Sequence, residues 1–309
     1  MDGANTLAEN WLRAAAGAIA QREVAAGKPM PVAELKAFAS TTSHSPAARE
    51  LAFELLRQAR ADEADALVPT FLNDPAAELR REPVARLIAE AKGKAEARDT
   101  TAATATYQRA LEAARDEDQI RTIADALKEL GQKPDLPKHF GFLMDWQVIG
   151  PFDNTGREGF ATVFPPEKGV DLTASHPGKE GKPLNWQPFS TRDEYGKVDL
   201  NKPLGMVKAV TGYATTTFHS EKEREAELRL GCKNAWKVWL NGELLFARDE
   251  YHRGARLAQY KMPCRLKAGP NVILVKCCQN EQTETWTVEW EFQLRVCDST
   301  GTAITSAKP

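Results

Sequence analysis

An Asn-Gly pair at Asn241-Gly242, set between two apolar runs, constrains this chain more than any other feature. A two-residue hairpin turn of type I′ requires positive φ at both central positions, and Asn-Gly adopts that geometry readily. The run before it, Trp236-Lys-Val-Trp-Leu240, is therefore a strand that turns back on itself. Val272 to Val275 is apolar on both faces, which predicts a central strand. Trp286 to Val296 alternates apolar and polar residues without a break and predicts one long strand with a solvated face. Met144 to Phe152 supplies an opening strand, stopped by Gly150-Pro151. Between about 153 and 205 the chain is rich in Gly and Pro. A connection that long is either functional or pinned across a sheet face.

Upstream of Pro134-Asp-Leu-Pro137 the composition is different: Ala, Leu, Arg and Glu dominate, and only one of the seven tryptophans lies there. The sequence thus predicts an α-helical domain over 1–137 followed by an antiparallel β-sandwich over 138–309. Trp11, Leu12, Ala15 and Ile19 recur at helical spacing, and Gly27-Lys-Pro29 ends that helix. Val32, Leu35, Phe38 and Ala39 mark a second helix. A third follows Ser45-Pro46, the favoured pairing of cap and first helical residue. Leu67 to Ile88 resembles a HEAT-repeat unit, with Asp74 as cap and Pro75 at the first helical position. Pro83 departs from that pattern; an interior proline costs about 3 kcal/mol and predicts a kink or a late start. Thr106 to Ala114 and Gln119 to Leu130 form a further helical hairpin, closed by Gly131. The region reads as a small HEAT- or TPR-like array or as an irregular helical bundle.

A formal net charge of -2 gives no bulk attraction to nucleic acid or to anionic lipid. No apolar run approaches the ~20 residues that span a bilayer. The cysteines, Cys232, Cys264, Cys277, Cys278 and Cys297, are odd in number and irregularly spaced, which opposes a full disulfide framework. Adjacent Cys277 and Cys278 point to opposite faces of a strand, and all five read as small buried hydrophobes. No Cys or His spacing fits a metal site, and no phosphate-binding glycine motif is present. The five histidines have no nucleophile setting, and Glu289 and Glu291 share a face that is open sheet surface. These readings predict no catalytic residue, no metal and no cofactor. Met1 to Leu7 has neither a basic n-region nor an apolar h-region, which predicts no signal peptide in this stretch. Its abrupt entry into a helix predicts a segment of a longer precursor.

Four motifs occur in order: Trp146-x-Val-Ile-Gly-Pro-Phe-Asp-Asn154, Phe164-Pro-Pro-Glu167, Trp239-Leu-Asn-Gly242 and Lys267-x-Gly-x-Asn271. The series resembles the galactose-binding-like jelly-roll module of large exported bacterial proteins, which often stands beside helical repeats. It covers roughly 140–298. The last two motifs also resemble the sugar-binding jelly roll of family 2 glycosidases, where the module supports a catalytic barrel and is not itself catalytic. The resemblance implies a jelly-roll sandwich, binding in place of chemistry, and a periplasmic or extracellular setting.

Trp239 has opposite parity to Trp236, Val238 and Leu240. With those three facing the core, its indole lies on the outer sheet face, where it stacks on a sugar ring unless the 153–205 segment covers it. Asp249, Tyr251, His252 and Arg253 concentrate carboxylate, guanidinium and aromatic groups in one loop, the mixture that sugar recognition needs. Asp153 and Asn154 offer two oxygens where a calcium ion wants six to eight; a turn built by the Asx side chains is the better reading. The sequence therefore predicts a non-enzymatic module for carbohydrate or another envelope component, or alternatively a scaffold that docks another protein.

Overall fold

The computed structural model describes residues 1–307, in two units: Met1–Pro134 and a second that begins at Asp135. The first unit is helical: α1 (Thr6–Ala25), α2 (Val32–Ser40), α3 (Pro46–Ala59), α4 (Ala61–Leu67), α5 (Ala77–Glu96), α6 (Thr100–Ala113) and α7 (Glu117–Glu129). Ser45 caps α3 as the sequence predicts, its Oγ accepting from Ala48 N at 3.2 Å, with Pro46 leading the first turn. Gly131 takes the left-handed conformation after α7 (φ 75°), and Gln132 N reaches back to Leu127 O at 2.8 Å. The core gathers Phe53, Leu56, Leu67, Val68, Phe71 and Leu79, with Phe53 and Phe71 edge to face at 5.1 Å.

Two helical expectations are corrected. Asp74 does not cap α5: its carboxylate pairs with the buried Arg49 guanidinium at 2.7 Å and accepts from Ala76 N at 2.8 Å. A buried arginine needs that full complement, so the side chain is spent on tertiary pairing and α5 begins later, at Ala77. The helix nevertheless starts ahead of Pro83 and runs through it. The residues of α1 marked by helical spacing form a helix but no core: Trp11 is 71% and Ile19 52% exposed.

The second unit opens with α8 (Leu136–Phe140), capped by Asp135 and ended by Gly141 at φ 75°. There follow β1 (Asp145–Asp153), α9 (Pro165–Lys168), β2 (His176–Pro177), β3 (Pro183–Leu184), β4 (Gln187–Ser190), β5 (Lys197–Asp199), α10 (Asn201–Leu204), β6 (Val210–Ser220), β7 (Arg224–Cys232), β8 (Ala235–Leu240), β9 (Glu243–Arg248), β10 (Tyr260–Leu266), β11 (Gly269–Gln279) and β12 (Glu291–Cys297). One antiparallel sheet has the order β4-β1-β6-β11-β8-β9 and the other β10-β7-β12-β5. Their facing sides share one core that includes Trp146, Val148, Leu228, Trp236, Trp290 and Phe292, so the unit is an antiparallel β-sandwich. Across the larger sheet Val148, Ala214, Val275 and Val238 stand in register on the core side. β11 is central, as its two apolar faces predict. Asn241 and Gly242 carry φ of 53° and 85° at the β8–β9 turn.

Two strand expectations fail for local reasons. β1 does not stop at Gly150-Pro151; it continues to Asp153 through a register shift between Ile149 and Phe152. That irregularity accommodates a proline that has no N–H for the ladder. The alternating run from Trp286 is a strand only from Glu291 onward. Residues 285–287 form a 3-10 turn instead, in which Thr287 donates through Oγ1 to Gln282 O at 2.9 Å and its carbonyl accepts from Gln279 Nε2 at 3.0 Å. Nor is the polar face of β12 solvated. Arg295 is buried, with its guanidinium 5.5 Å from the Phe140 ring of α8 and donating to Gly301 O at 3.1 Å.

Candidate functional site

One end of the sandwich collects the loops after β1, between β7 and β8, between β9 and β10, and between β11 and β12. Asn154, fully buried, is its hub. Its N–H donates to Ala209 O at 2.9 Å, and its Nδ2 donates to Gln279 O at 3.0 Å and to Tyr251 Oη at 3.1 Å. A single residue thereby ties three separate stretches of chain together. Tyr251 lies under the Arg157 guanidinium, 5.4 Å from its ring centroid, and burial pushes its phenol pKa upward. Arg157 donates to Glu281 at 2.9 Å; that bond holds the carboxyl below its usual range and raises the guanidinium.

His252 N donates to Lys233 O at 2.5 Å, and His252 Nε2 lies 3.1 Å from Asn280 Oδ1. Because that oxygen accepts, Nε2 carries the proton. The ring stands edge-on to Trp286, with centroids 5.1 Å apart at 85°. His252 and Arg157 both adopt positive φ, 59° and 68°, a backbone state that non-glycine residues enter when their surroundings impose it. Trp286 itself is 56% exposed. The result is a shallow surface: an open indole, a histidine edge fixed beside it, and an exposed guanidinium–carboxylate pair. Aromatic rings accept the C–H faces of sugars, and paired charged groups bind vicinal hydroxyls.

Of the five residues singled out from sequence, the structure brings Tyr251 and His252 into this cluster. Asp249 is exposed beside them, and its charge bears on both Tyr251 and Arg157. Arg253 is exposed and lies 3.7 Å from Glu250. Trp239 stands elsewhere. It occupies the outer face of the larger sheet, as parity predicts, but is only 7% exposed, because Phe164, Val170 and Trp186 from the 153–205 segment pack into the cluster around it. An open stacking platform at Trp239 is thus corrected to a covered one. Asp153 builds the Asx turn, accepting from Thr155 Oγ1 at 2.7 Å, and Lys179 Nζ lies 3.2 Å from it. Glu289 lies ahead of β12, paired with Lys233, so it does not share a strand face with Glu291.

Sequence reasoning missed Trp286, Arg157, Asn280 and Glu281. The polar run Gln279-Asn-Glu-Gln-Thr-Glu284 was the available signal that a loop, and not a strand, leads up to Trp286. A groove of ≈ 550 Å³ on the outer sheet face is lined by Ser190, Thr215 and Thr217, but Ser190 and Thr215 donate their hydroxyls to Asp145 and to Ile273 O, at 2.6 and 2.9 Å, and its one aromatic, Trp146, is buried.

No protein-family model matches the sequence, and no curated protein matches it. Among solved structures the chain is similar to a beta-glucosidase from Kluyveromyces marxianus in complex with glucose (15% identity, TM-score 0.24, 29% of this chain and 11% of that one). It is similar also to an anti-sigma factor domain-containing protein from Clostridium clariflavum (14%, 0.29, 54% and 48%). A third likeness is to a family 35 carbohydrate binding module from Clostridium thermocellum (12%, 0.21, 29% and 72%). The chain spans about a tenth and about half of the first two proteins. Likenesses this slight say nothing about ligand or activity.

Proposed function

We propose that the β-sandwich is a non-enzymatic carbohydrate-binding module, carried within a longer exported protein, and that it holds a glycan at the loop end centred on Trp286. The observation that carries this reading is the exposed indole with His252 locked edge-on beside it. Arg157 and Glu281 supply hydrogen-bonding groups at the rim, and Asp249 adds a further carboxylate. Arg157 holds Glu281 ionised, so the carboxylate offers acceptor oxygens to the hydroxyls of a sugar. The motif resemblance to modules of exported proteins supports the setting; finding the chain in the cytosol on cell fractionation would remove that part. The test of binding is a glycan-array screen of the full chain, followed by titration of the best ligand. Trp286→Ala should weaken binding at least about tenfold, a loss of about 1.4 kcal/mol. Silence across the array, or a variant that binds as tightly as the parent, would sink the assignment.

One observation favours a second reading, in which the helical unit, a short HEAT- or TPR-like array, docks another protein. The apolar face of α1, with Leu7, Trp11 and Ile19, is turned to solvent, while Arg13 on the other side reaches Glu50 and Glu54 of α3 at 2.8 and 2.9 Å. An amphipathic helix laid polar side inward fits the apolar face of a partner protein's helix. Cross-linking from position 11 in cells should capture one defined partner, lost in Trp11→Ser with Ile19→Ser. A capture pattern unchanged by the substitutions would reject this reading.

A further inference from the structure

Directly beneath the loop end, Cys232 and Cys277 meet across the sandwich. Cys232 ends β7 of the smaller sheet, Cys277 lies in β11 of the larger, and their sulfurs are 3.8 Å apart. Both are buried in the shared core. We infer that Cys232 and Cys277 are an oxidisable pair that closes into a disulfide joining the two sheets. This inference stands apart from the glycan reading.

Three features carry it. The sulfurs are already at van der Waals contact, and rotation of two short side chains must close the gap to the ~2.05 Å of a bond. The setting is one in which such bonds form, since inter-sheet disulfides beside a buried tryptophan span the same gap in other β-sandwiches. Here Trp236 faces Cys277 on the neighbouring strand, and Trp290 Nε1 donates to Cys277 O at 3.0 Å. Of the other thiols, Cys278, on the opposite face of β11, is 3.4 Å from Thr211 Oγ1, and Cys297 is 3.8 Å from Glu227 O; Cys232 also meets an oxygen, Glu291 O at 3.4 Å, but has a second sulfur within reach.

The pair also has a structural consequence. Cys232 leads into Lys233, whose carbonyl holds His252, and Cys277 leads into Gln279 and Asn280, which hold Asn154 and His252. A bond between them ties together the roots of the loops that carry the candidate site. The chemistry balances with a small-molecule disulfide as oxidant. One cysteine thiolate attacks it, forming a mixed disulfide and releasing one thiol. The second thiolate then attacks the protein sulfur of that mixed disulfide and releases the other thiol. Two electrons and two protons pass from the cysteines to the oxidant. Burial of both sulfurs in the folded core means that the bond forms while the chain folds or opens.

The full chain, reduced and unfolded, is refolded in reduced and oxidised glutathione, then alkylated in denaturant and digested. Three of the five thiols should be alkylated, and one linked peptide pair should contain Cys232 and Cys277. The link closes a loop of 45 positions, so adding dithiothreitol should lower the thermal midpoint of the sandwich by about 5–15 °C. Cys278→Ser should keep the link and Cys277→Ser abolish it. Five alkylated thiols, glutathione retained on separate cysteines, or a link between any other pair would overturn the inference. The peptide map of the unsubstituted chain decides the matter even where Cys277→Ser does not fold.

Discussion

Lys276 sits at 0% exposure on the outer face of the larger sheet, and its ammonium is given three oxygens. Glu167 Oε1 lies at 2.7 Å, Thr162 O at 2.7 Å and Phe160 O at 3.1 Å. Burial pushes its pKa down and Glu167 works against that shift, while Tyr213, which also donates to Glu167, is pushed upward chiefly by burial. The group therefore acts as a peg that fastens the segment after β1 to the sheet. Removing one member of a buried ion pair strands the other, at about 3–5 kcal/mol, whereas replacing both by apolar groups is close to neutral. Lys276→Met should accordingly lower the urea unfolding midpoint steeply. Adding Glu167→Gln, which removes the stranded charge and keeps an acceptor for the Tyr213 hydroxyl, should restore most of the loss. An additive double variant would show that the pairing is not the source of the effect.

At the scale of elements, what the sequence made legible was whatever is decided locally. Strand parity placed Trp236, Val238 and Leu240 inward and Trp239 outward, because the period of two is a property of the backbone. The Lys267-x-Gly-x-Asn271 motif is likewise built by local bonds: Asn271 accepts from Lys267 N at 2.9 Å and donates to Gly269 O at 3.0 Å. Failures arose where a distant segment decides. Trp239 is covered by residues far upstream, and the polar face of β12 by α8 and the C-terminal segment. Trp286 was misplaced because an alternating pattern continued past the point where Gln279 and Thr287 divert the backbone into a turn. For the site, the local mixture of residue types picked out Tyr251 and His252. Their partners Asn154 and Asn280 are brought to them by β1 and β11, and no spacing within the loop reports that.

At the scale of the molecule, each unit carries its own apolar core. The clusters around Phe53 and Phe71 in one unit, and around Trp236 and Trp290 in the other, have no member in common. Units with separate cores are expected to fold alone when the cut respects their capping. The cap that matters is Asp135. Its carboxylate accepts from Lys138 N at 3.1 Å and starts α8, which places Phe140 under Arg295 and leads to the bridge between Phe142 and Arg295. A fragment beginning at Asp135 should therefore keep the thermal midpoint of the sandwich within about 2 °C of its value in the full chain. One beginning at Asp145 strips the cover from a buried guanidinium and from the outer face of β12. With a buried charge worth several kcal/mol, and each kcal/mol worth about 2–4 °C in a unit of this size, its midpoint should fall by at least about 6 °C. Calorimetry of the three proteins distinguishes the cases. If the Asp135 fragment melted as low as the Asp145 fragment, the sandwich would depend on the helical unit for its stability, and α8 would not be the element that completes it.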